Sequence, residues 1–119
     1  SRYFLLIGTN DVTAAPKETL DNILHIAGEL SHARKAAKVY VSTLLPRSDN
    51  KAANRRNDAV NELLRAHFKT CTDCQSLVLV DTAHAMHEHG DWQTLLVDGL
   101  HPSIEGYRFL AKYWVQEIR

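Results

Sequence analysis

The chain has 119 residues, 45% of them hydrophobic and 24% charged, with 14 basic residues balanced by 14 acidic ones. That composition fits one globular domain able to bury a core without a metal or disulfide framework. It argues against nucleic acid as a partner, because phosphate affinity comes from clustered Lys and Arg and the one basic cluster is Arg55-Arg56. No apolar run approaches the roughly 20 residues that span a bilayer.

Tyr3-Phe4-Leu5-Leu6-Ile7 is a continuous apolar run, the pattern of a strand covered on both faces, and Gly8-Thr9-Asn10-Asp11 ends it with a polar turn. The chain opens on Ser1-Arg2 without an initiator Met or a helix cap, so the sequence reads as an excised piece of something longer. From Pro16, Leu20, Ile23, Leu24, Ala27 and Leu30 recur at helical spacing and predict an amphipathic helix ending near Arg34, with His25 packed or solvent-facing beside its stripe.

Val39 to Leu45 predicts a second buried strand, stopped by Pro46. A second helix follows, with Ser48, Asp49 or Asn50 as its N-cap and Ala53, Val60, Leu63, Leu64 and His67 or Phe68 on its apolar face. Ser76 to Val80 predicts a third strand ending at Asp81-Thr82, and Ala83 to Leu100 is less regular, with one helical turn near Ala85. Pro102 opens a last helix whose expected inner face is Ile104, Tyr107, Ala111, Trp114 and Ile118. This order implies an α/β fold, a parallel sheet flanked by helices. Three strands are few for such a sheet, and its edges would expose apolar faces and unpaired backbone groups.

Ligands of a parallel sheet bind outside the carboxyl ends of its strands, which directs attention to Asn10-Asp11, Pro46-Arg47-Ser48, Asp81-Thr82 and the loop Asp98-Gly99-Leu100-His101-Pro102. An Asp three residues before a His on a tight turn can accept the Nδ1 proton and leave Nε2 as a general base. Taken alone, Asp98-Gly99 reads rather as a plain turn with His101 preceding a helix-starting Pro. Gly8 permits close backbone approach, and the Asn10 amide is a neutral donor suited to a developing oxyanion; taken alone, this too is a plain turn.

Together, GTND at the end of the first strand and DGLH before the last helix resemble the SGNH (GDSL-type) hydrolases over essentially the whole chain. The resemblance implies a three-layer flavodoxin-like α/β fold and hydrolysis of a carboxylic ester by a serine esterase or lipase. It implies Asn10 and Gly8 as the oxyanion and substrate-binding residues, Asp98 as the orienter of a Ser-His-Asp triad, His101 as its base, and a small-molecule ester as substrate. No metal and no organic cofactor is implied. The family's GDS serine and oxyanion Gly would lie upstream of Ser1, so the first strands are expected to be missing and the 119 residues to be the later part of one domain. On that reading the isolated chain is inactive, and either a complementing N-terminal segment or self-association covers the exposed sheet edge.

Ser1, Ser31, Ser42, Ser48, Ser76 and Ser103 lack a GDS context and are not expected to be nucleophiles. The alternative is a catalytically inactive SGNH-like domain that binds a ligand or a protein partner. A phosphate-binding module is disfavoured because no Gly-rich phosphate loop is present.

Cys71-Thr72-Asp73-Cys74 has half the spacing of a zinc site, with His84, His87, His89 and Asp91 as the conceivable other half. The two halves would sit at opposite ends of the third strand, so no zinc is expected. The cysteines are read as exposed turn thiols, with a local disulfide as the next alternative. Trp92 and Leu95 to Val97 either wall an acyl pocket near His101 or pin the loop, and the sequence leaves both open.

Overall fold

The structure, a computed structural model, describes residues 2–9, 13–33 and 37–118. Its elements in chain order are β1 (Arg2–Leu5), α1 (Pro16–Ala33), β2 (Lys38–Ser42), α2 (Lys51–Thr70), β3 (Leu77–Val80), α3 (Thr82–Glu88), a 3-10 turn (Trp92–Leu95) and α4 (Ile104–Glu117). The strands form one parallel sheet in the order β1-β2-β3, with Leu5 opposite Val41 and Val41 opposite Leu79.

Alternation along β2 separates two apolar layers. Val39 and Val41 point to α1 and α2, where they are buried with Leu20, Ile23, Ala27, Leu44, Val60 and Leu64. On the other face the rings of Phe4 and Trp114 lie 4.6 Å apart, and Ser42 Oγ is 2.7 Å from Thr82 Oγ1, which also accepts Trp114 Nε1–H at 2.9 Å. Beyond them Met86, Leu95, Leu96 and Leu110 form the second cluster.

β2 is shorter than the expected Val39 to Leu45 because side chains take over its backbone. Thr43 N–H still donates to Val80 carbonyl at 3.0 Å, but the Leu44 N–H and carbonyl both turn to the Asn61 amide, at 2.7 and 2.8 Å. β1 correspondingly stops at Leu5. The end of β3 is fixed by Asp81, which caps α3 and accepts two hydrogen bonds from Arg65, at 2.7 and 2.9 Å, and one from Thr43 Oγ1 at 3.0 Å. The region after it is more regular than expected, since α3 runs for seven residues.

The inner face of α4 departs from the expected stripe. Ile104 and Tyr107 are 72% and 60% exposed, and the buried positions are Gly106 and Leu110, with Phe109, Tyr113 and Trp114 half-buried. The cause is a close approach: a Cβ on Gly106 would collide with the Leu95 carbonyl oxygen. Contact at that distance is open to glycine only, and it turns the helix away from the face that apolar periodicity alone selects.

Two outcomes follow from these contacts. Gly106→Ala should lower stability by about 1–3 kcal/mol through overpacking against backbone, measured by denaturant unfolding. For Asp81, burial pushes the carboxyl up, but the Arg65 guanidinium and the Thr43 and His84 donors more than offset this, so it sits below its ordinary range. Its contribution is therefore complete above the unfolded carboxyl pKa of about 4 and is lost as pH falls through the lower folded value. Asp81→Asn should cost about 1–3 kcal/mol at neutral pH. It should also flatten the acid limb of the stability profile, as pH-dependent unfolding would show.

Candidate active site

The segment after the 3-10 turn leaves the fold and returns as a pinned excursion. At its base Leu96 bridges Pro102 in antiparallel fashion, Ser103 N–H donates to Leu95 carbonyl at 2.8 Å, and Val97 N–H donates to His101 carbonyl at 2.8 Å. Inside this loop Asp98 binds its own turn: Oδ1 accepts the Leu100 and His101 backbone N–H groups at 3.0 and 2.7 Å. Oδ2 lies 2.7 Å from His101 Nδ1.

The His101 backbone N–H first, then its imidazole and the Leu100 N–H, hold the Asp98 carboxyl far below the ordinary carboxylate range. An ionised carboxylate only accepts, so the proton of a neutral His101 ring belongs on Nδ1, and Nε2 carries the free lone pair. The pair is open to solvent, with side chains 51% and 69% exposed.

What holds the loop in place is its tip. Gly99 carbonyl accepts the Ser48 and Asp49 backbone N–H groups at 2.8 and 3.2 Å. Gly99 has φ +80, and a Cβ there would lie 2.8 Å from the Asp49 nitrogen, so both the conformation and the space require glycine. The receiving turn is built by Arg47, which grips Asp49 through Nε and Nη2, both at 2.7 Å. Its remaining Nη1 donates to the Thr9 carbonyl at 2.8 Å, and the residue is only 6% exposed. The bidentate contact with Asp49 raises the guanidinium pKa and lowers that of the carboxyl.

Helix α2 supplies the other supports, residues that sequence reasoning did not single out. Asn54 Oδ1 accepts the Arg47 backbone N–H at 2.8 Å, and Asn57 Nδ2 donates to Thr9 Oγ1 at 2.9 Å. With Asn61 they lie at helical spacing on one face of α2, a polar row interleaved with Ala53, Val60 and Leu64. That interleaving was the available signal: amides on the buried face of a helix need backbone partners.

The expected site residues distribute as follows. Asp98 and His101 meet directly. Gly8 has φ +111 and stands against Thr19 and Ile23 of α1, which suits the turn, while the next residue, Thr9, lies beside the His101 groove. Asn10 lies outside the described residues. The groove has a volume of about 300 Å³ and is lined by Leu6, Thr9, Leu45, Arg47, His101 and Trp114, among others. Leu95 and Leu96 are buried with Met86 and Leu110, and Trp92 packs against them, while Val97 is exposed.

Two of the serines are engaged in the scaffold. Ser42 is buried against Thr82, and Ser103 caps α4 through Gly106 N–H at 3.0 Å. His25 faces solvent, 3.7 Å from Glu29. The CTDC cysteines are not free thiols: Cys71 and Cys74 are bonded to each other, because a three-residue separation at the end of α2 lets their side chains meet. His84 and His87 lie on α3, beyond the far end of β3 from that disulfide.

Comparison with known structures places the fold. The chain is similar to a candidate platelet activating factor from Streptococcus pneumonia, with TM-score 0.80 and 23% identity over 100% of this chain and 60% of that one. It is also similar to a carbohydrate esterase family 3 structure from Talaromyces cellulolyticus, with TM-score 0.79 and 22% identity over 98% of this chain and 56% of that one. The 119 residues thus span less than two thirds of both structures. No curated protein matches the chain. The model of the GDSL-like lipase/acylhydrolase family matches residues 2–109, nearly the whole length, and the chain belongs to that family.

Proposed function

We propose that this chain is the later part of an SGNH esterase domain and supplies the Asp-His pair and the oxyanion Asn of a Ser-His-Asp triad, the serine coming from a segment outside residues 1–119. The observation that carries this reading is the 2.7 Å contact between His101 Nδ1 and Asp98 Oδ2, beside a groove that His101 shares with Thr9. Membership of a hydrolase family supports it, and the esterase named among the similar structures favours a small-molecule carboxylic ester as substrate.

In this mechanism His101 Nε2 removes the proton of the serine hydroxyl as its oxygen attacks the ester carbonyl. Asp98, held ionised by three N–H donors, fixes the ring tautomer and stabilises the imidazolium that forms. Asn10, with the backbone turn that Gly8 permits, donates to the oxyanion of the tetrahedral intermediate. The intermediate collapses to an acyl-enzyme as His101 gives its proton to the leaving alcohol. Water, deprotonated by the same nitrogen, then releases the acid. Every step is a proton transfer or an acyl transfer, and the residues named supply both.

The same reading concerns the sheet edge. Among the described residues β1 pairs only with β2, and Tyr3, Phe4 and Leu5 are half-buried rather than covered. A further segment or a second copy of the chain would complete that edge.

Fluorophosphonate labelling is the direct test. The 119-residue chain should take up no stoichiometric label, and the complete gene product should take up one; a labelled chain would reveal a nucleophile within these residues, and an unlabelled complete product would favour a binding domain. In the complete enzyme His101→Ala should abolish nearly all turnover, and Asp98→Asn should cost a comparable or smaller factor through the tautomer. Asn10→Ala should raise the barrier by about 3 kcal/mol with little change in ground-state binding. Separately, sedimentation of the isolated chain should show concentration-dependent association, whereas a dilution-resistant monomer would count against an open edge.

A further inference from the structure

The connection from α2 to β3 brings three metal-binding side chains together, far from the groove. His67 lies in the last turn of α2, Cys71 follows the end of the helix, and Cys74 lies three residues further, just before β3. His67 Nε2 is 3.8 Å from Cys74 Sγ, and one ligand atom from each of the three residues lies within 4.8 Å of the others. Among the described residues this is the one such cluster of three. All three side chains are half-buried, within reach of ions and small reductants.

Spacing alone places the conceivable second half of a CTDC site downstream, at His84, His87, His89 and Asp91. The partner instead lies upstream, one helical turn before Cys71 and on the same face of the chain. Its placement is firm: Cys71 N–H donates to the His67 carbonyl at 2.9 Å, and Leu77 N–H donates to the Cys74 carbonyl at 3.1 Å. The imidazole and the Cys74 sulfur already stand near the separation of two ligands on one tetrahedral ion, roughly 3.6 Å for metal bonds of about 2.1 and 2.3 Å.

We propose that His67, Cys71 and Cys74 form a redox-gated site for a zinc-like, thiolate-preferring cation, closed as the disulfide and opened by reduction. A dithiol reductant opens it in two steps. One of its thiolates attacks a sulfur of the Cys71–Cys74 bond, forming a mixed disulfide and releasing one cysteine thiolate, which takes up a proton. The second reductant thiol resolves that intermediate, so the reductant leaves as its own disulfide and two cysteine thiols remain.

The cation then displaces both thiol protons to form two metal–sulfur bonds, and Nε2 of neutral His67 supplies the third bond. Two sulfurs and one imidazole suit zinc better than the hard cations, which select oxygen ligands. A fourth, solvent-facing position is left for water. The bridge spans three residues only, so it constrains the unfolded chain less than a long-range disulfide would. Opening it therefore leaves most of the fold's cross-connections in place.

The test uses the whole 119-residue chain, reduced with a phosphine under exclusion of oxygen so that no competing thiol is present, and titrated with Co2+ and then Zn2+. One equivalent of Co2+ should give a thiolate-to-cobalt absorption in the near ultraviolet, Zn2+ should bleach it, and about two protons should be released per ion bound. The oxidised chain should show none of this. His67→Ala should weaken binding by at least about tenfold, and His67→Gln serves the same purpose if the alanine variant loses its helical circular dichroism. A reduced chain without the absorption band, an oxidised chain binding equally well, or unchanged affinity in the folded His67 variant would each overturn the proposal.

Discussion

The two backbone N–H groups of Ser48 and Asp49 that converge on the Gly99 carbonyl determine where the carboxyl end of the sheet can hold its chemistry. Without that docking the Asp98–His101 turn would be an exposed loop tied only at its base, by the Leu96–Pro102 bridge and the backbone bonds of Val97 and Ser103. The turn that provides the donors exists because Arg47 grips Asp49 with two N–H groups and spends a third on the Thr9 carbonyl. A guanidinium this buried is costly to desolvate, and it is tolerated where its fork meets a carboxylate and a further N–H finds a carbonyl. One side chain thus holds the end of β1, the tail of β2 and, through the Asp49 backbone, the loop before α4 in a single arrangement.

Rigidity and exposure are divided between the scaffold and the Asp98–His101 pair. Asn57, Asn61 and Arg47 are almost wholly buried, while Asp98 and His101 face solvent. Function is concentrated on loops that a packed framework positions, and here the framework is polar, a row of amides on α2 that satisfies the irregular backbone from Leu44 to Arg47. Those amides let β2 end early without leaving buried donors and acceptors unpaired. The early ending in turn allows the segment from Thr43 to Arg47 to bend across the site.

What the sequence revealed and what it concealed follow from the range of the interactions concerned. The helices α1 and α2 were readable because Leu20, Ile23 and Ala27, like Val60 and Leu64, repeat a local period. The pairing of Asp98 with His101 was readable because three residues and a glycine suffice to close it. The inner face of α4 was not, since Gly106 reads as a weak helix residue until the Leu95 carbonyl lies against it. The Arg47–Thr9 contact spans 38 positions and the Asn57–Thr9 contact 48, distances over which a single sequence carries no pairing signal. The Cys71–Cys74 bond was legible only as an alternative for a related reason, as spacing permits a disulfide but does not distinguish it from free cysteines.

The parallel topology also separates the two proposed sites. Each crossover helix starts beside the carboxyl ends of the strands and finishes beside their amino ends, so α2 begins next to Asp49 and ends at His67 and Cys71. The rise from Lys51 to His67 is roughly 24 Å at 1.5 Å per residue, and β3, running back toward the carboxyl edge, holds Cys74 apart from Asp81 by its four residues, roughly 13 Å. Groups that far apart with no shared partner act nearly independently. Coupling between them would have to pass along α2 itself, whose Asn50 cap and Asn54, Asn57 and Asn61 contacts anchor its first half to the site regardless of what the last turn binds. If the two proposed sites act as argued, a change of redox state at the CTDC turn should leave the Asp98–His101 geometry intact.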